Sequence, residues 1–184
     1  SVLLLEAGPE SRRNPFVNTP LGFLQLMFSR RFNWQFNTEP QRHMYDRALF
    51  QPRGKMVGGS SGMNAQVYIR GHASDYDEWA RLGCNGWSYS EGLPYFRRSE
   101  HFEPKLASAD VAFHGQGGPL NVAERRYTNP LSVVFLDAAI QAGYQRNADF
   151  NGSEQEGVGF YYAYQKNGVR CSNARAYLEP AAGR

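Results

Sequence analysis

Between Gly54 and Gly71 the chain reads GKMVGGSSGMNAQVYIRG, and Gly58-Gly59-Ser60-Ser61 carries no bulky side chain for four residues. Glycine pairs lose much conformational freedom on folding, so they belong where something must come close to the main chain. Amides bared in this way can meet a planar or anionic ligand. Ser60 or Ser61 is placed to cap a following helix, whose amino end would favour a phosphate. Lys55 adds positive charge nearby. The spacing is not that of a phosphate P-loop, which ends in Gly-Lys-Ser/Thr. The same residues also read as a flexible loop followed by a capped helix, and local chemistry alone leaves both readings open.

A second candidate is Glu6, which follows the apolar run Val2–Leu5 and precedes Ala7-Gly8. In dinucleotide-binding folds an acid at the end of the second strand receives the ribose hydroxyls. The alternative is a solvated acid after an edge strand. The phosphate-binding G-x-G-x-x-G turn that should come about twenty residues earlier is not in this sequence. Neither GQGG at Gly115 nor GVG at Gly157 supplies its third glycine. Other chemistries lack their residues: there is no G-x-S-x-G elbow for a serine nucleophile, and no H-E-x-x-H or Cys/His cluster for a metal.

The frame that must hold these residues is globular. The 184 residues are 41% hydrophobic and 14% aromatic, enough for one good core or for one domain with part of another. The net charge of +3 is spread over scattered arginine pairs, so no basic face invites nucleic acid. Cys84 and Cys171 stand far apart without metal-ligand spacing, which points to free thiols in a reducing compartment. No stretch reaches the roughly 20 apolar residues that span a bilayer. The expected location is the cytoplasm, at most peripheral to a membrane.

Along the chain, Val2–Leu5 reads as a buried parallel strand. Thr19-Pro20 should open a helix over 21–28, and 33–38 alternates like a strand before a loop over 39–53. Helices are expected from Ser74 to Leu82, from Ser90 to about Glu100, and from Asn129-Pro130 to Gly143. The last presents Leu131, Val134, Phe135, Ala138, Ala139 and Ala142 on one apolar face. Leu120–Val122 should start a sheet. Asn167-Gly168 marks a hairpin turn after a strand over 160–166, and Ser172 should cap a last short helix to Leu178. Opening in mid-strand and closing on YLEPAAGR, the sequence reads as an internal piece of a longer protein.

The segment Gly54–Asp77, with Asn64, Tyr68 and Gly71, resembles the first signature of the glucose–methanol–choline oxidoreductases at every constrained position. The likeness extends through LLLEAG, FNWQFNTEPQ, YIRGHASDYDEWARLGCNGWSYSEGLPYFRRSE, GPLNV, DFNGSEQEGVGF and NGVRCSNARAYLEP. Between Val67 and Glu100 the wording is similar to the branch of choline and aliphatic alcohol dehydrogenases. The resemblance implies a mixed α/β (α+β) fold: a partial, Rossmann-like FAD-binding domain with the start of an antiparallel-sheet substrate domain. The division would be 1–117 for FAD, 118–166 for substrate, and 167–184 returning toward the FAD domain.

The family implies further expectations residue by residue. Glu6 would bind the adenosine ribose of FAD, and Trp34 would pack against the cofactor. Gly54, Lys55, Met56 and Val57 would line it before the Gly58-Gly59-Ser60-Ser61 turn. Asn64, Ala65, Gln66 and Val67 would run beside the isoalloxazine and pyrophosphate. Residues 40–56 correspond to the loop over the flavin. Members with covalently attached FAD place a histidine just before the signature asparagine; Met63 stands there, so the cofactor should be held noncovalently. The implied reaction oxidises the CH–OH group of a primary alcohol to an aldehyde, with oxygen or a quinone as acceptor. The family's catalytic histidine has no counterpart here, since His43, His72, His101 and His114 all lie in other contexts and read as surface or structural residues. A non-catalytic nucleotide-binding or assembly piece is the competing reading.

Overall fold

Val17, Leu26, Met56 and Met63 lie far apart in sequence and meet as one buried apolar cluster, with Met27 and Phe32 packed against it. Side chains of this size contribute about 1.5–3 kcal/mol each when fully buried. The cluster belongs to the first of two compact units in a computed structural model that describes residues 2–104 and 110–182. That unit is Ser1–Gln66 with Gln165–Arg184, and the second is Val67–Tyr164. The Gly183-Arg184 end of the closing YLEPAAGR run lies outside the described residues.

In the first unit, the side chain of Asn14 accepts from the Phe16 amide and Pro15 takes the first helical position of α1 (Pro15–Asn18). The helix expected over 21–28 forms in two short pieces, a 3-10 turn at Pro20–Gly22 and α2 (Phe23–Met27). Leu26 on α2 is its buried anchor. Strands β1 (Phe36–Asn37) and β2 (Phe50–Gln51) pair antiparallel, with Phe36 opposite Gln51. The segment 39–53, expected as loop, therefore includes the return arm of a hairpin. Val2–Leu5 requires a correction: it is exposed and in no ladder. A strand is stabilised by its neighbour, and among the described residues none pairs with it.

The second unit starts with β3 (Val67–Tyr68), followed by α3 (Ala73–Arg81) and α4 (Tyr89–Ser99). Both helices begin earlier than their expected caps. The ring of His72, not Ser74, accepts from the helix, while Asp75 returns to the His72 amide. Ser88, not Ser90, caps α4, because Glu91 stands three residues on and completes a reciprocal box. Gly83 ends α3 at φ +101, a left-handed value suited to glycine. Strands β4 (Glu100–Phe102) and β5 (Leu120–Val122) then pair in parallel, with Phe102 opposite Val122.

Next comes α5 (Pro130–Gln141), capped by the side chain of Asn129 as expected. Its apolar residues lie all round the helix and not on a single face, and those expected to form that face are largely uncovered, with Leu131 at 74% and Phe135 at 71% exposure. Strand β6 (Tyr162–Ala163) lies antiparallel to β3, so the chain enters and leaves this unit through neighbouring strands. Back in the first unit, β7 (Gln165–Lys166) and β8 (Val169–Arg170) form a hairpin. Asn167 and Gly168 turn it with both φ values positive, 52° and 79°, as a two-residue turn that matches strand twist requires. The last expected helix is only a wide turn over Ala174–Leu178.

Candidate functional site

The small residues of the first unit are small for different reasons. A Cβ on Gly8 would stand 2.1 Å from the Lys55 carbonyl carbon, and one on Gly54 2.5 Å from the carbonyl of Gly59. On Gly58, at φ +89, it would stand 2.8 Å from the Ala174 nitrogen. These three glycines let backbone segments stack on one another. Gly59 differs: at φ +58 nothing lies within 4 Å of where its Cβ would be. Its backbone is therefore open on that side.

The turn around it is tied from both sides. The Gly59 amide donates to Met56 O at 2.7 Å, and the Gly54 amide donates to Ser60 Oγ at 2.9 Å. Ser61 Oγ donates to Gly58 O at 2.5 Å and accepts from the Asn173 amide at 2.9 Å. Contrary to expectation, no helix follows for either serine to cap. Residues Gly59–Gly62 make one 3-10 turn and then the chain drops into the core at Met63. Both hydroxyls bind backbone of other segments, so the turn offers main-chain surface and no helix dipole.

Beside this turn lies a cavity of about 300 Å³, lined by Phe23, Met27, Pro52 and Arg53 with Ser60 and the run Met63–Ala65. Its walls are mainly apolar with a few polar groups, the usual make-up of a site for a flat organic ligand. Asn64 is held from beneath by Arg170, which is 1% exposed. Arg170 Nη1 donates to Asn64 O at 2.7 Å and Asn64 Oδ1 at 3.0 Å, and Nε donates to Val17 O at 2.9 Å. The Asn64 side chain also accepts from the Gln66 amide at 3.1 Å, which fixes Gln66 at a left-handed φ of 62°. Sequence reasoning missed Arg170. The Asn-Gly turn signalled the hairpin, but nothing in the sequence signals that an arginine two residues later is buried.

The remaining candidates sort by what their side chains touch. Trp34 stacks on Phe36 at 5.7 Å between ring centroids and carries the Lys55 ammonium 4.8 Å above its own ring. Both flank Gly54 in the same unit, and Trp34 stays partly exposed. Met56 departs from its expected role: its side chain is fully buried in the apolar cluster, so only its backbone can face a ligand. Val57 is tied through its backbone to Pro9 O at 3.1 Å and to the Ser11 hydroxyl at 2.6 Å. Glu6 is exposed and accepts from the Gly8 amide at 2.7 Å, which shapes the turn after it. Val67 opens the second unit in β3. His72 caps α3, His101 accepts from the Gly117 amide at 3.0 Å, and His114 is buried between two carboxylates, so these three carry structural bonds. Among the described residues no cluster of His, Cys, Asp or Glu is arranged to hold a metal, and no helix is long and apolar enough to cross a membrane.

The sequence pattern of the GMC oxidoreductases covers residues 36–184 of this chain. The chain belongs to the GMC oxidoreductase family. It is 45% identical, over its whole length, to the alcohol dehydrogenase [acceptor] of Pseudomonas putida, and covers 32% of that protein. It is 42% identical, again throughout, to the oxygen-dependent choline dehydrogenase of Rhizobium etli (strain CIAT 652), covering 33% of it. The chain thus spans about a third of the length of the curated relatives it matches. In structure it is similar to pyridoxine 4-oxidase from Mesorbium loti, with a TM-score of 0.87 and 31% identity, over 97% of this chain and 34% of that one. GMC oxidoreductases bind FAD, and the mixed helix-and-strand architecture matches part of their Rossmann-like cofactor domain. The open Gly59 backbone and the neighbouring apolar cavity fit one face of such a cofactor.

Proposed function

We propose that this chain supplies the flavin-facing surface of an FAD-dependent enzyme that oxidises a primary alcohol, choline or an aliphatic or aromatic alcohol, to its aldehyde. The observation that carries the reading is Gly59, with its open, left-handed backbone, beside the cavity at Met63–Ala65 and inside the family's first signature. Bound FAD supplies hydride acceptance from the alcohol carbon. The residues of this chain bind and orient. Gly58–Ser61 present main chain, Asn64 is held by Arg170 with Ala65 next to it, and Trp34 with Lys55 flanks Gly54. Glu6 is assigned to the adenosine ribose. Residues 1–117 and 167–184 are assigned to the FAD domain and 118–166 to the start of the substrate domain. The electron acceptor is oxygen or a quinone.

FAD is held here without a covalent bond, because Met63 offers a thioether where a histidyl link would need an imidazole. Acid precipitation of the flavin-loaded protein is expected to release all yellow colour into the supernatant. Flavin left in the pellet would overturn the argument from Met63.

The general base is assigned elsewhere than in these residues, which is supported by the structural bonds of His72, His101 and His114. A missing base costs about 10²–10⁴-fold in rate. The 184 residues by themselves, given FAD and a dye acceptor, are therefore expected to turn over neither choline nor benzyl alcohol above the free-flavin background. Turnover would relocate the base to this chain. Absence of flavin binding would instead favour an assembly piece without cofactor.

A further inference from the structure

Five residues of the second unit close a ring of hydrogen bonds. His114 Nε2 meets Asp149 Oδ2 at 2.7 Å, and Asp149 Oδ1 accepts from the Asn151 amide at 3.0 Å. Asn151 Oδ1 accepts from the Arg70 amide at 2.8 Å, and Arg70 Nη2 donates to Glu100 Oε2 at 2.9 Å. Glu100 Oε1 then returns to His114 Nδ1 at 2.9 Å. Every member is buried, with the His114 side chain 2% exposed and that of Glu100 at 0%. The ring joins residues up to 81 positions apart, and one of its links is a histidine.

The two partners of that histidine favour its doubly protonated state. Ionised carboxylates only accept, so an imidazole between two of them donates from both nitrogens, and a neutral ring has a single N–H. With His114 as imidazolium the four side chains balance: Arg70 and His114 positive, Glu100 and Asp149 negative. Loss of the proton would leave a nitrogen lone pair facing a carboxylate oxygen at 2.7–2.9 Å, in a place where water cannot intervene.

We propose that His114 is a proton-dependent clasp, which holds the turn at 149–152 onto β4 and the end of β3 only while both of its nitrogens are protonated. The groups around the ring come from every packed element. Glu100 lies on β4, Arg97 on α4 donates to His114 O at 3.2 Å, and Phe102 stacks on the imidazole at 3.8 Å. Tyr68 reaches Arg70 at 3.3 Å, and Tyr162 donates to Ala148 O at 3.1 Å. Burial and the nearby carboxylate of Asp149 push the Tyr162 hydroxyl up to about 12, and burial does the same for Tyr68, so neither competes for the proton. Burial alone disfavours a charged imidazole, but the hydrogen bonds and charges of Asp149 and Glu100 outweigh it and raise His114 above its ordinary value. The sign follows. The clasp is complete below the unfolded histidine value of about 6.5 and is lost as pH rises through the raised folded value.

The test uses ring-15N histidine NMR together with amide exchange on the full chain. Near neutral pH, His114 is expected to carry protons on both nitrogens. Protection factors at the Arg70 and Asn151 amides should fall at least tenfold as pH rises through the His114 titration. In Asp149→Asn the new amide donates to a neutral Nε2 and its carbonyl still serves the Asn151 amide, so the ring persists without the proton. That variant should keep its protection and lose the pH dependence. A singly protonated His114 at neutral pH, or wild-type protection that does not change with pH, would refute the clasp. Loss of protection in Asp149→Asn at the same pH as in the wild type would refute it equally. If that variant does not fold, the wild-type ring signals still decide.

Discussion

Replacing Arg170 with alanine should cost the first unit about 3–5 kcal/mol, at the upper end for a single substitution. Arg170 is almost wholly buried, and its guanidinium serves the carbonyls of Val17 and Asn64 and the Asn64 side chain. Hydrogen bonds from a charged donor contribute about 1.5–3 kcal/mol each. Truncation removes them together, leaves buried carbonyls without that donor, and opens a cavity the length of the side chain. Lysine is not an adequate substitute, because one ammonium cannot reach both segments in the planar fork that Arg170 uses. Denaturant unfolding of the two variants against wild type measures the loss. A change below about 1 kcal/mol for alanine would show that the ties are made equally well by water.

The second large effect separates two glycines five residues apart. Gly54→Ala puts a methyl 2.5 Å from the Gly59 carbonyl, an unyielding backbone group, so the two stacked segments must part. A loss of about 3 kcal/mol or more is expected, as for severe overpacking. At Gly59→Val the new Cβ meets no atom within 4 Å, so the main cost at that atom is the left-handed φ of +58. That is about 1–2 kcal/mol, somewhat more for a branched side chain. Its larger effect should fall on the ligand, because the valine fills the space that the open backbone leaves. Purified Gly59→Val protein is expected to be folded and colourless, measured by circular dichroism and flavin absorbance. A folded variant with undiminished flavin would reduce Gly59 to a turn residue.

Much of this could be read in advance where chemistry is local. The Asn167-Gly168 turn, the Asn129-Pro130 start of α5 and its glycine stop each follow from the backbone demands of one or two residues. Caps were misplaced where the decision lay in a pair: Glu91 selects Ser88 over Ser90, and the His72 ring does work that usually falls to serine or aspartate. Burial outside regular elements was harder still. Met56 lies in a loop with no period from which to read a face, and only the fold turns it into the core. Val2–Leu5 shows the converse, since an apolar run has strand character but becomes a strand only with a partner. The signature around Gly58-Gly59 was legible because several residue types recur together, while the reason for each glycine required neighbours from elsewhere in the chain.

The interruption of the first unit by the second has a consequence for its synthesis. Val17 and Asn64 are translated early, yet the arginine that ties them arrives only at residue 170, 106 positions after Asn64. At roughly 5–20 residues per second on the ribosome, that delay is on the order of 5–20 s. Throughout it the nascent first segment holds every residue of its apolar cluster but not its strut. The second unit's bounding strands pair with each other, and the closing one, at Tyr162–Ala163, is itself made just before Arg170. The locking of the first unit therefore waits until the whole of the second has been translated, and slow codons between 67 and 164 would lengthen the time that Met56 and Met63 spend without Arg170 in place.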